Sequence, residues 1–361
     1  MNPALQKAGF FIFILQHYLL QTHMKKIIGF LFIVLIIAGS YAVWNVFGPT
    51  ISAPDGKYFY IRTGSNYENV KTSLHEQGIL KGNFFFDKLA TQLKYTDNIK
   101  PGKYEIKNNS SLLSLVRMLK AGTQSPVKLV INKLRTKEDF ASKISNGFEC
   151  DSLQIINFLT NNDSLTTYDV DTNTVMTAII PNTYLLKWNS PFKTLFARLK
   201  SEQEKFWTDE RKQKAKEKNL TTEQVYTMAS IVEEETNKPE DKLLIASVYR
   251  NRIAQGQKLE ADPTVKYAMR AFGLKRILYG HLKFDSPYNT YMHAGLPPGP
   301  ICTPSSKTID AVLDSPETNY IFFVAKPDFN GYSNFASTYA EHQVYAKLYQ
   351  KALDSLIKSR Q

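Results

Sequence analysis

The sequence predicts an α+β protein in two folded parts behind one N-terminal transmembrane helix. Three observations lead there. Residues 27–47 form an apolar run without a single charge. Beyond it, short alternating stretches rich in aromatic and β-branched residues interleave with segments of helical period, bounded by Gly, Pro and Asn signals. Near the middle, Ser230-Ile231-Val232-Glu233-Glu234-Glu235-Thr236 places three adjacent carboxylates at the end of an otherwise apolar helix. A chain of 361 residues has room for an anchor and about two domains.

The run 27–47 has the length that crosses a bilayer, about 20 residues. Lys25 and Lys26 precede it, which puts residues 1–26 in the cytoplasm by the positive-inside rule, and Tyr41 and Trp44 lie toward its far end, where aromatics favour the interface. A cleaved signal peptide is the competing reading. The apolar run is long for one and no small-x-small site follows, so a retained anchor is expected. The apolar run 9–20 is too short to span and is broken by Gln16 and His17. Met24-Lys25-Lys26 reads as a natural start, so residues 1–23 read as an upstream extension, with Met1 and Met24 both open as the first residue.

The formal charge is +12, from 45 Lys and Arg against 33 Asp and Glu. Nucleic acid, an anionic membrane surface or an anionic polymer such as a cell wall would each suit it, and so would solubility alone. No nucleic-acid-binding fingerprint, zinc spacing or Gly-rich arm is present, so nucleic acid is not an expected partner. Cys150 and Cys302 are far apart and lack a CxxC context. They do not read as metal ligands; an oxidising compartment would permit a disulfide between them, and two unrelated buried thiols is the alternative.

After a short linker at 51–56, residues 57–63 read as a strand, 66–77 as a helix closed by Gly78, and 83–93 as a second helix. Lys100-Pro101-Gly102-Lys103 is a turn before a strand at 104–107. Ser110 is placed as the cap of a helix ended by Gly122, and 127–134 as a further strand. Residues 51–134 thus form a small α+β module without a catalytic cluster. Residues 135–175 follow as a helical connector that ends in a polar, turn-rich boundary loop, and 176–361 as the larger α+β domain. Within the latter, 191–218 is a long charged helical stretch, 243–255 a helix ended by Gly256, 320–325 a strand of buried type, and 332–335 its hairpin partner. Thr338 and Glu341 form a capping box that opens the last helix. His342, in its first turn, reads as structural.

Thr221 and Gln224 form the capping box that starts the acidic helix. Val225, Met228, Ala229 and Val232 mark its buried stripe. At roughly 100° per residue, Glu234 points away from that stripe while Glu233 and Glu235 sit on its two edges. A carboxylate at the edge of an apolar face loses hydration, which disfavours its charged form, as general-acid work near neutral pH requires. The alternative is a solvated acidic helix end.

Further candidates lie downstream. Asn251 falls on the apolar face of its helix and must find partners, either in a structural network or on a sugar. Asp262 precedes Pro263 and reads first as an N-cap, with catalysis as a lesser alternative. Ser286-Pro287-Tyr288-Asn289-Thr290-Tyr291 combines rings with amides and hydroxyls, the mixture a sugar site needs. Gly295-Leu296-Pro297-Pro298-Gly299-Pro300-Ile301 is a stiff segment suited to shaping a wall.

Taken in order, these motifs resemble the endolytic murein transglycosylases, the YceG-like family. The matching stretches are Ala229 to Thr236, Ala246-Ser247-Val248-Tyr249-Arg250-Asn251-Arg252, Ala261-Asp262-Pro263-Thr264-Val265, Tyr288-Asn289-Thr290-Tyr291 and the Gly295 to Ile301 segment. Pro181-Asn182-Thr183-Tyr184 resembles the family's Pro-Asp-Thr-Tyr, with Asn in place of Asp. Lys100-Pro101-Gly102-Lys103-Tyr104 resembles a turn of its LysM-like module. The resemblance is strong from 181 to 342 and loose before. It implies a LysM-like module followed by a YceG-like catalytic domain. It also implies cleavage of peptidoglycan glycan strands at the MurNAc-β-1,4-GlcNAc bond, leaving 1,6-anhydro-MurNAc ends. In the family the first Glu of Val-Glu-x-Glu-Thr is catalytic, which here is Glu233. Glu235, Asn251, Asp262, Tyr288, Asn289 and Thr290 are then candidates for binding substrate or supporting Glu233, and no metal or organic cofactor is implied.

The resemblance also implies a single-pass protein of the cytoplasmic membrane, its catalytic domain on the extracytoplasmic side, coupled to peptidoglycan synthases and ending nascent strands. Two rivals remain on the sequence. One is a hydrolytic muramidase using Glu233 with Glu235 or Asp262 and water. The other is a non-catalytic wall-binding scaffold for synthases.

Overall fold

The computed structural model describes residues 3–359. Met1, one of the two candidate starts, lies outside them. The chain divides into two compact units, Met1–Pro126 and Val127–Gln361, and its helices and strands make a mixed α+β architecture.

The first unit begins with helix α1 (Pro3–Phe47), 45 residues without a break. Its segment His23–Phe47 is long and apolar enough to cross a membrane, and none of its most apolar stretch is buried against protein. Strand β1 (Tyr58–Ile61) pairs antiparallel with β2 (Gly102–Glu105), in the register Tyr58 to Glu105 and Ile61 to Gly102. Around them pack α2 (Tyr67–Glu76), α3 (Phe84–Gln92) and α4 (Leu112–Ala121). The core holds Phe59, Ile61, Leu74, Phe86, Tyr104 and Leu119. The cap of α4 is Ser111, whose side chain accepts from the Ser114 N–H, and not Ser110 as the sequence suggested. Ser110 instead bridges to Ile51, which removes that residue from the expected linker and buries it. Gly122 ends α4 at φ +70°, a left-handed conformation that disfavours any residue with a Cβ.

In the second unit, β3 (Val127–Val130) pairs antiparallel with β4 (Thr183–Leu186). That pairing puts β3 in this unit, whereas the sequence placed it at the end of the small module. The pattern of a strand does not say which partner it will find. Helices α5 (Lys137–Gly147) and α6 (Ser152–Leu159) pack on this sheet with α8 (Phe192–Phe206). The expected boundary loop at 162–174 contains a short helix, α7 (Asn162–Leu165), and buries Leu165 in the same core, so it divides nothing. The charged stretch at 191–218 is two helices. Trp207 is buried, and Thr208 caps α9 (Asp209–Glu217).

A second core surrounds α10 (Thr222–Glu235), against which α11 (Pro239–Ala254), α12 (Asp262–Ala268) and α13 (Ser306–Leu313) pack. The hairpin of β5 (Phe322–Ala325) and β6 (Ser333–Ala336) and the last helix α14 (Tyr339–Lys358) complete the unit. β5 is half-exposed along its length, not the buried strand its apolar run suggested, because a two-stranded hairpin leaves one face open. His342 stacks on Phe322 at 5.1 Å, as its structural reading required. Both cysteines are free: Cys150 donates to Ser190 O and Cys302 to Ser230 O.

Candidate active site

Helix α10 starts with both halves of its capping box formed: Thr221 accepts from the Gln224 N–H and the Gln224 side chain from the Thr221 N–H. From Val225 to Val232 every residue is buried, polar Thr227 and Ser230 included. The sequence showed one apolar stripe; the helix is in fact wrapped on all sides. Ser230 makes this possible. Its hydroxyl donates to Thr227 O and accepts from the Ile301 N–H at 3.0 Å, so a polar residue fixes the Gly295–Ile301 wall to the helix. In that wall, a Cβ at Gly299 would meet Asn173 O at 2.1 Å, so a glycine is needed for the backbones to approach.

The three carboxylates at the end of α10 meet three different environments. Glu233 is half-buried, its side chain 15 % exposed. Lys242, from α11, sits 2.7 Å from its Oε2 and 2.6 Å from the Thr308 hydroxyl. Ser305 donates to the same oxygen at 3.2 Å, and Thr308 donates to it as well. The other oxygen, Oε1, takes none of these bonds. Glu233 opens onto a cleft of about 360 Å³, walled by residues 130–133 and 181–183 on one side and by Thr303 and Ser305 on the other. Val130 and Lys133 also line a larger groove of about 710 Å³ along β3 and α5, in which Lys128, Arg135 and Lys143 stand.

Glu234 turns to the opposite wall. Arg135 holds it with two bonds of 3.0 Å and Lys133 approaches to 3.2 Å. Burial works against its charge, but these cations outweigh burial and keep the carboxyl below the usual carboxylate range. This is not a solvated helix end.

Glu235 faces α11 and α12. The Tyr249 hydroxyl donates to it at 2.7 Å. Burial pushes its pKa up to about 7; the negative charge of Asp262 adds to the rise, and the Tyr249 bond and Lys266 oppose it. The carboxylate of Asp262 does not cap α12. Ala261 occupies the cap position, and Asp262, already in the helix, accepts from the Tyr291 hydroxyl at 2.8 Å. Glu235 and Asp262 are therefore near each other, and neither lines the cleft of Glu233.

The remaining candidates are committed to the fold. Asn251 donates to Thr318 O at 2.7 Å and Tyr320 O at 2.9 Å. Asn289 is fully buried, donates to Leu282 O and Phe284 O, and accepts from the Tyr291 N–H. The Thr290 hydroxyl joins that of Thr264 at 2.8 Å and accepts from the Ala261 N–H. Tyr288 leans on Tyr267 with ring centroids 4.8 Å apart. Asn251 ties α11 to the segment before β5, and the other three shape the loop and its seat on α12; none of the four lines the Glu233 cleft.

Lys242, Ser305, Thr308 and Thr303 were not singled out from the sequence. Thr303 is buried and joins the cleft's two walls: it accepts from the Leu134 N–H, donates to Asn132 O, and its own N–H donates to Leu134 O. Lys242 carried one usable signal, a lysine in the first turns of a helix that directly follows the acidic one.

A central buried helix thus ends in three carboxylates, of which one stands over an open cleft inside an α+β unit, an arrangement suited to acid–base chemistry. The model of the YceG-like family matches residues 59–347, and the chain belongs to that family. It is 28 % identical over 299 residues to the endolytic murein transglycosylase of Bacillus subtilis, covering 78 % of this chain and 81 % of that protein. It is also 28 % identical over 342 residues to the endolytic murein transglycosylase of Streptococcus pneumoniae, covering 84 % of this chain but 62 % of that one. The crystal structure of a YceG-like protein of Listeria monocytogenes shares the fold, with a TM-score of 0.54 and 24 % identity over 80 % of this chain and 98 % of that one.

Proposed function

We propose that the chain is an endolytic peptidoglycan lytic transglycosylase with Glu233 as its acid and base. The observation that carries this reading is the position of Glu233, alone of the three α10 carboxylates, on the cleft. The names of the Bacillus and Streptococcus relatives supply the substrate class.

One carboxyl group is enough for the chemistry. Protonated Glu233 donates to the glycosidic oxygen as that oxygen separates from C1 of the muramic residue. The carboxylate so formed takes the proton from the C6 hydroxyl of the same residue as its oxygen bonds to C1. The product carries a 1,6-anhydro ring, no water is consumed, and Glu233 ends as it began. Lys242, Ser305 and Thr308 steady Oε2 and leave Oε1 to exchange the proton. Glu235 and Asp262 lie off the cleft, which favours this route over a two-carboxylate hydrolysis. The groove that shares Val130 and Lys133 with the cleft gives a polymer room to extend past the scissile bond, as internal cleavage requires.

The first unit then serves as a LysM-like wall-binding module. The anchor holds the chain in the cytoplasmic membrane with the N-terminus in the cytoplasm and the catalytic unit on the extracytoplasmic side. There it would end nascent strands beside peptidoglycan synthases; unchanged strand lengths in cells lacking the protein would count against that role. Mass spectrometry of the soluble products of isolated sacculi tests the chemistry, with the full chain beside Glu233→Gln. Anhydro-muramic ends from the wild type alone are expected. Reducing ends would mean hydrolysis, and wall binding without products from either form would mean a scaffold.

A further inference from the structure

We propose that the turn at 80–83 with the start of α3 is a second membrane contact of the first unit, with Phe84 inserted as a wedge into the bilayer that α1 crosses. The inference rests on the reading of α1 as a spanning anchor.

Depth is the first argument. The last turns of α1 pack on the rest of the unit: the Tyr41 ring meets Phe85 edge-on at 5.9 Å, and Val46 packs against the core. A helix rises about 1.5 Å per residue, so Tyr41 lies roughly 9 Å before Phe47 along the axis. An apolar layer about 30 Å thick that begins after Lys26 ends near Val46. Tyr41 then lies within the outer edge of that layer, and whatever packs against Tyr41 is held at the same level. Phe85 is so placed, and Phe84 is its neighbour, with ring centroids 5.2 Å apart.

Exposure is the second. Phe84 is 66 % exposed at the first position of α3, in a unit whose other phenylalanines in that helix are at least half-buried. Beside it a cavity of about 610 Å³ opens, with Trp44, Leu80, Phe85 and Leu112 in its walls, large enough to admit part of a lipid chain.

Charge is the third. Lys81 and Lys88 flank Phe84 in sequence and are exposed, and Asp87, three residues on, is engaged by the Tyr67 hydroxyl and Lys71. An aromatic wedge between lysines suits a layer of anionic headgroups. A glycan or a second copy of the chain would explain the exposed ring but not its level beside Tyr41.

The test is spin-label accessibility on the full chain in nanodiscs of phosphatidylethanolamine and phosphatidylglycerol. Cys150 is replaced by Ser, and Cys302 is too buried to react. Labels are introduced singly as Phe84→Cys, Ile33→Cys in the anchor and Leu153→Cys on the exposed surface of the second unit. At 84 and 33, collisions with oxygen should exceed those with a water-soluble nickel chelate several-fold, with the reverse at 153. A label at 84 that behaves as at 153, while 33 is in lipid, overturns the wedge and leaves the anchor. A label at 84 shielded from both reagents also overturns it and indicates a protein partner. A label at 33 in water overturns the anchor reading and the wedge with it.

Discussion

Lys242 Nζ lies 2.7 Å from Glu233 Oε2, joining the end of α10 to the first turns of α11, and both side chains are largely withdrawn from solvent, at 12 % and 15 % exposed. The pair orients the proposed catalytic carboxyl. Replacing Glu233 by Gln keeps the shape and removes the carboxyl that would give and take the proton, so product release from sacculi should fall by about 10²- to 10⁴-fold. Far-UV circular dichroism should be unchanged, which separates lost chemistry from lost fold.

Lys242→Met should act differently. Glu233 keeps its bonds from Ser305 and Thr308 but loses its counter-charge and its firm hold. A partner removed from a half-buried ion pair costs up to about 3 kcal/mol. Turnover should fall by up to about 100-fold, the cost of a reacting group misplaced by about 1 Å, with a lower Tm. Lys242→Arg, which keeps the charge, should recover part of both.

Thr303→Val tests the bond between the cleft walls. It strands the Leu134 N–H and removes the bond to Asn132 O, with little change of volume. A loss of about 1–3 kcal/mol is expected in chemical denaturation. Activity should fall as well, since residues 132–134 include part of the wall that faces Glu233.

Asn289→Ala distinguishes a substrate residue from a structural one. The side chain is fully buried and holds two carbonyls and one N–H of its own loop. Its loss should lower stability by about 2 kcal/mol or more. At temperatures where the variant stays folded, KM for soluble glycan fragments should be close to that of the wild type. A large KM effect with an unchanged Tm would return Asn289 to the substrate.

Glu235 gives a pH signature. Its pKa rises on folding from the ordinary 4.5 to about 7. Below about pH 4.5 folded and unfolded chains both hold the proton, and the contribution to stability is complete. As pH rises toward 7 the unfolded chain releases its proton while the folded chain keeps it. Stability therefore falls through that window, by up to about 1.4 kcal/mol per pH unit, and levels off above it. Glu235→Gln still accepts from Tyr249 and removes this titration. Its Tm should vary less between pH 4.5 and 7, and near pH 8 it should exceed the wild type by an amount worth on the order of 2 kcal/mol.

Much of α10 was legible in the sequence because its signals are local: the Thr221–Gln224 capping box, the apolar spacing, and the divergence of three neighbouring carboxylates at a helix end. The split of Glu233, Glu234 and Glu235 into three directions follows from helix geometry alone. What each one meets does not. Arg135 is 99 residues from Glu234, and Thr308 is 75 from Glu233; no local pattern pairs them. The polar loop at Tyr288, Asn289 and Thr290 was visible as a concentration of hydrogen-bonding groups. Composition cannot tell whether such groups serve a ligand or the backbone, and here Asn289 and Thr290 serve the backbone. The same limit put residues 127–134 at the end of the small module, since the partner strand β4 lies more than 50 residues on, in the second unit.

The Thr303 staple also bears on when the cleft comes into being. It ties residues 132–134 to a position 169 residues further along, and Glu233 finds hydroxyl partners in Ser305 and Thr308. Closing so long a loop is slow, and the sheet and helices on either side have closer partners to find first. During synthesis the wall at 132–134 can meet β4 and Glu234 early, but its backbone stays unstapled until the chain has grown past residue 303. A chain cut short before residue 303 lacks the staple and both hydroxyls that hold Glu233, and keeps only Lys242 beside it. The acid of this site is thus set by residues that the chain supplies only in its last sixth, long after α10 itself.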